Sequence, residues 1–119
     1  MAVIAEHDFR TRRKDVMRIT IGDEREEITL SILPPTKRIH EDLVRVAGVV
    51  DQAQAGEIDF EQFDLRDCLE LVAHAMSHNT ARRKITADYL ESIEFDLLDI
   101  GDFIGLYLFF VLELTKGKS

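Results

Sequence analysis

The chain has 119 residues, 45% of them hydrophobic, with 15 basic and 23 acidic side chains and a net charge of −8. That length holds one domain with a real core, and that hydrophobic share is a globular value that argues against a disordered chain. The negative balance repels phosphate backbones, so nucleic-acid binding is not expected, and a single cysteine, Cys68, excludes an internal disulfide and points to a reducing compartment.

Residues 1–15 carry no apolar period and read as a mobile arm. Their one basic cluster, Arg10, Arg12, Arg13 and Lys14, is first a solvated arm and second an anion-binding one. Glu6 and Asp8 interrupt the start, so no secretory leader is expected. From residue 16 the period is two. Met17, Ile19 and Ile21 alternate with Arg18 and Thr20, and Ile28, Leu30 and Ile32 alternate with Thr29 and Ser31. With Gly22-Asp23-Glu24-Arg25 between them, these runs predict a β-hairpin over 16–33, closed by Pro34-Pro35. An isolated hairpin is marginal in water, so it must pack on helices or pair with another chain's strand.

The period then changes. Ile39, Leu43, Val46, Val50 and Ala53 follow one another at four, three, four and three, one face of a helix over about 36–55. Thr36 suits its N-cap and Gly56 its C′ position. A second helix is predicted over about 65–79, with Asp64 as N-cap, a stripe of Leu65, Cys68, Leu69, Val72 and Met76, and Asn79 as its stop. A short third helix spans about 86–94, with Tyr89, Leu90 and Ile93 inward, and a fourth spans about 99–116, with Asp99 ahead of it. The expected fold is therefore α+β and mostly α: an N-terminal β-hairpin and about four helices, in one domain over 16–119. The most apolar run, Phe103 to Leu112, has ten residues. A membrane span needs about 20, so none is expected.

Catalytic signals are weak. Asp51 to Phe63 resembles an EF-hand calcium loop in Asp51, Gly56, Ile58 and Asp59, but Ala53 and Ala55 cannot coordinate and Gln62 stands where a bidentate glutamate is needed. A degenerate EF-hand-like adaptor or calcium-linked module remains the alternative reading. Glu70, His74 and His78 form a ladder at i, i+4 and i+8, the spacing at which two histidines chelate zinc. The ladder lies opposite the apolar stripe, so it reads first as a solvated face, and a metallo-enzyme is a third reading. Cys68 lies on the stripe and reads as an inert core thiol. No serine sits in a nucleophile elbow, and no glycine-rich loop opens a helix. No catalytic residue, metal or cofactor is expected.

The last helix is the informative one. At about 100° per residue, Ile100, Phe103, Ile104, Tyr107, Phe110, Val111 and Leu114 share a core-facing arc. Leu106 and Phe109 fall on the opposite side with Asp102 and Glu113, while Gly101, Gly105, Leu108 and Leu112 make a third strip. Two glycines inside a helix destabilise it by roughly 1 kcal/mol each, which makes sense where another backbone comes close. A helix apolar on nearly all sides must be covered all round. The cover is either a partner or the chain's own helices. Between Thr86 and Ile104 lie six acidic residues and no basic one, which reads as N-terminal helix bias or as an anionic rim suited to a basic amphipathic segment. Leu106, Phe109, Leu112, Gly101, Gly105 and Asp102 are the candidate protein-interaction residues.

Three pieces in order also carry a family likeness. They are Ile19-Thr-Ile-Gly-Asp23 with a return strand from Glu27 to Leu33 running into Pro34-Pro35-Thr36; Leu71-Val-Ala-His-Ala-Met-Ser-His-Asn79; and Ile85-Thr-Ala-Asp-Tyr-Leu-Glu-Ser-Ile93 before an aspartate-punctuated apolar helix. Over about residues 18–116 the chain resembles the tail assembly chaperones of long-tailed (siphophage-type) bacteriophages. The resemblance implies a non-enzymatic role: binding the tape measure protein, recruiting tail tube protein, and self-association as a homo-oligomer. It places the protein in the host cell cytoplasm and not in the mature virion. The family has no shared catalytic residues to carry over, and the basic arm and the calcium-loop-like word lie outside its pattern.

Overall fold

The computed structural model describes residues 2–5, 15–57 and 64–116. Strands β1 (Met17–Gly22) and β2 (Glu27–Ile32) form an antiparallel hairpin, followed by helices α1 (Lys37–Gln54), α2 (Leu65–Ser77), α3 (Ala87–Ser92) and α4 (Leu97–Lys116). The fold is α+β and mostly α, with the hairpin at the N-terminal side of four helices, as the sequence predicts. The basic cluster at Arg10–Lys14 lies outside the described residues.

The hairpin register places Met17 opposite Ile32, Ile19 opposite Leu30 and Ile21 opposite Ile28, so all six apolar side chains share one face. In the turn, the Asp23 carboxylate accepts from the backbone N–H groups of Arg25 (2.8 Å) and Glu26 (3.0 Å). Gly22 has φ +135°, and a Cβ there would collide with the Glu26 carbonyl oxygen, so only glycine fits.

The hairpin docks on the end of α2. Leu33 N–H donates to the His78 carbonyl (2.9 Å), Thr80 N–H donates to the Ser31 carbonyl (3.0 Å), and Ile32 and Asn79 form a β-bridge. Of the two ways to stabilise a marginal hairpin, the fold therefore uses its own helices.

Capping residues set the helix starts. Thr36 accepts from Ile39 N–H, Asp64 from Asp67 N–H and Thr86 from Tyr89 N–H. At the end of α1, Gly56 takes φ +75° and donates to the Ala53 carbonyl, the C′ geometry expected of it. Helix α3 stops at Ser92 because Glu94 turns left-handed, at φ 58°, and Phe95 N–H closes back on the Leu90 carbonyl (3.0 Å).

Helix α4 departs from expectation. It begins at Leu97, and Asp99 is not ahead of it but within its first turn. Asp96 accepts from Asp99 N–H and Asp99 accepts from Asp96 N–H, both at 3.0 Å, a reciprocal capping box. Backbone N–H bonds, Asp99's above all, hold the Asp96 carboxyl below the usual carboxylate range.

One apolar cluster joins the hairpin to all four helices, with Leu30, Ile32, Leu43, Leu69, Val72, Met76, Leu90, Ile100 and Tyr107 at its centre. Arg66 of α2 fastens α3 at the surface, pairing with Asp88 (2.7 Å) and Glu91 (2.9 Å) as well as Glu70 (3.4 Å). Among the described residues, no helix is long and apolar enough to cross a membrane.

Candidate functional site

Helix α4 meets the core along Ile100, Phe103, Ile104 and Tyr107, and full burial ends there. Phe110 and Val111, expected on the same inward arc, pack against the core but are only partly covered, and Leu114 is likewise half-buried. Tyr107 anchors the helix. Its ring is fully buried between Phe103 (centroids 5.7 Å) and Phe110 (6.2 Å, edge-on), and its hydroxyl donates to the Leu33 carbonyl at 3.4 Å. Burial pushes its phenol up to about 12.

The outward side of α4 is apolar and open. Leu98 is 68% exposed, Leu106 45%, Phe109 59% and Leu112 52%. Asp102, Glu113 and Lys116 stand among them, also exposed. A helix start at residue 99, as the sequence analysis has it, leaves Leu98 outside the candidate residues; the Asp96-x-x-Asp99 capping pattern is the signal that includes it. Large apolar side chains left exposed along one helix face mark a candidate protein-binding surface.

The two helical glycines flank this strip. Gly101, Gly105 and Leu108 face Ala47, Val50 and Gln54 of α1 across a groove of about 340 Å³. A Cβ on Gly101 would make ordinary contact with Gln54 and Val50, at 3.7 and 3.8 Å, and one on Gly105 would meet nothing within 4 Å. The close backbone approach expected of these glycines is therefore not made within the described chain; they leave the groove open instead. Gly105→Ala will raise the stability of the helix by about 1 kcal/mol. For a chain this size that is a rise in Tm of roughly 3–6 °C, read in a thermal melt.

The acidic stretch is not one rim. Arg66 neutralises Asp88 and Glu91, Glu94 is the exposed left-handed residue between α3 and α4, Asp96 and Asp99 close the helix cap, and Asp102 lies beside the strip, with Asp51 across the groove. A stretch continuous in sequence divides in space because α3 and α4 are separate helices with a left-handed residue between them.

The remaining candidates take other positions. Asp51 lies inside α1, which continues to Gln54, so it does not open a loop; Ile58 to Phe63 lie outside the described residues. Glu70 pairs with Arg66, His74 is exposed, and His78 is the α2 C-cap, whose non-helical ψ of 75° takes it off the ladder. Cys68 is buried, and burial first, then Asp64 and Asp67, pushes its thiol up, away from the reactive thiolate. Among the described residues, no three His, Cys, Asp or Glu side chains gather closely enough to hold a metal ion. No protein-family model, curated protein or solved structure matches the chain.

Proposed function

We propose that this chain is a non-enzymatic phage tail assembly chaperone. It binds the tape measure protein, keeps that protein's amphipathic helices soluble and promotes polymerisation of tail tube protein. It works in the host cell cytoplasm, without a cofactor, and leaves before the virion is complete. The observation that carries the reading is the open apolar strip of Leu98, Leu106, Phe109 and Leu112 on a helix whose other side is anchored in the core. A rigid helix with one greasy face suits an amphipathic client, which would otherwise expose its own. The sequence likeness over about residues 18–116 supplies the identity of that client.

Co-expression with the tape measure protein tests the reading. The wild-type chain will keep the client soluble and co-purify with it. Phe109→Asp, at an exposed position, will leave the fold intact but weaken client binding at least about 30-fold, as loss of an aromatic anchor does. Val44→Asp, at an exposed apolar position of α1, is the control and will bind normally. Undiminished binding by Phe109→Asp would refute the assignment of the strip.

A further inference from the structure

We infer that the groove between α1 and α4 takes a basic amphipathic helix of the client, with large apolar side chains seated where Gly101 and Gly105 stand. The inference rests on the client reading and adds to it the place and the chemistry of the contact.

The walls of the groove point to a helix. Leu98, Gly101, Gly105, Leu108 and Leu112 follow one another on α4 at three, four, three and four, the spacing of a seam that meets another helix. On α1, Ala47, Val50 and Gln54 stand at three and four along the facing wall. In such a seam each position ordinarily offers a side chain to the helix opposite, but Gly101 and Gly105 offer none. A Cβ on Gly105 would meet nothing within 4 Å, and the groove keeps about 340 Å³ over the buried side chains of Val50 and Ile104. That space is open to side chains entering from outside. An extended segment laid there would leave backbone N–H and carbonyl groups unpaired against an apolar floor, whereas a helix satisfies its own. Leu98 belongs both to this seam and to the exposed strip, as does Leu112, so groove and strip form one continuous surface.

Charge selects which helix. Asp51 follows Val50 on one wall and Asp102 follows Gly101 on the other, both exposed, and Val50 lies 3.8 Å from where a Gly101 Cβ would stand. The carboxylates therefore flank the groove at one level. Among the described residues no basic side chain lines the groove, and neither carboxylate belongs to an ion pair. With the chain's net charge of −8, this attracts a helix that carries lysine or arginine beside its apolar face and repels an acidic one.

The test uses the full chain and a pair of synthetic amphipathic peptides with the same leucine seam, one flanked by lysine and the other by glutamate. Fluorescence anisotropy reads binding and a thermal melt reads the fold. The wild-type chain will bind the lysine-flanked peptide at least about tenfold more tightly than the glutamate-flanked one. Gly105→Leu will melt no lower than wild type, because its side chain meets open space and leucine favours a helix. It will nevertheless bind the peptide at least about tenfold more weakly, because it fills the place the peptide's side chain needs. Asp51→Lys combined with Asp102→Lys will reverse the preference between the peptides. A wild-type chain that binds neither peptide, or both alike, overturns the inference, and so does a Gly105→Leu chain that binds as wild type. Self-association of the wild-type chain that Gly105→Leu abolishes would place a second copy in the groove and overturn it too. If the lysine-flanked peptide binds as expected and the tape measure protein does not, only the client reading falls. If the tape measure protein binds Gly105→Leu as well as it binds wild type, only the groove assignment falls.

Discussion

Tyr107→Ala will lower the unfolding free energy by about 4 kcal/mol, as deletion of a fully buried aromatic ring does. The reasons lie in the packing. The ring is completely buried, it contacts Phe103 and Phe110 on its own helix, and it is the last fully packed residue of α4. Removing it leaves a cavity where α4 meets the core, and the two C-terminal turns lose their footing. Tyr107→Phe separates the ring from its hydroxyl. The bond to the Leu33 carbonyl is long, at 3.4 Å, so this variant will lose less than about 1 kcal/mol. Urea unfolding of the two variants measures the difference.

The same residue sets an alkaline limit. In the unfolded chain a tyrosine ionises near 10, whereas burial pushes Tyr107 up to about 12. The neutral phenol's contribution is fully present below pH 10 and is lost as pH rises from there through 12. The wild-type chain will therefore lose stability over that window, and Tyr107→Phe will lose less of it. An identical fall in both would show that another group sets the limit.

Asn79→Ala will lower stability by about 3 kcal/mol. Asn79 is 3% exposed and is the buried polar residue among those described. Its amide donates to the carbonyls of Met76 and Arg83, both at 2.8 Å, and its side-chain oxygen accepts from Arg83 N–H at 2.9 Å. Its backbone meanwhile bridges to Ile32. One side chain thus closes α2, holds the loop that follows and seats the hairpin. Alanine strands three backbone groups in a place where water is scarce. Asn79→Asp will also be destabilising near neutral pH, because its carboxylate faces two carbonyl oxygens where the amide donated. Thermal melts should show a fall on the order of 10 °C for Asn79→Ala.

Much of this architecture is local and so could be read from the chain. The period-two runs around Gly22-Asp23 form the hairpin, and the apolar spacing from Ile39 to Ala53 forms the buried face of α1. Thr36, Asp64 and Thr86 cap their helices because a short side-chain oxygen beside an unpaired N–H needs no tertiary context. The start of α4 is ambiguous in sequence, because Asp96 and Asp99, three residues apart, both fit the N-cap. Their reciprocal bonding made Asp96 the cap and carried Leu98 into the helix.

The sequence by itself determined the element types, their order and the excess of apolar residues around α4, since each follows from periods and caps within a few residues of chain. It also settled that Leu106 and Phe109 lie opposite the core-facing arc, because helical geometry fixes angular position. Only the tertiary structure decided what covers them. Coverage depends on where neighbouring elements pack, and here they cover one side of α4, fully as far as Tyr107 and partly beyond it, leaving Leu98, Leu106, Phe109 and Leu112 open. It likewise decided that the acidic stretch divides among Arg66, a helix cap and Asp102, and that Asn79 joins α2 to the hairpin. Those contacts link residues far apart in the chain, and the pairing of distant segments leaves no periodic trace in either one.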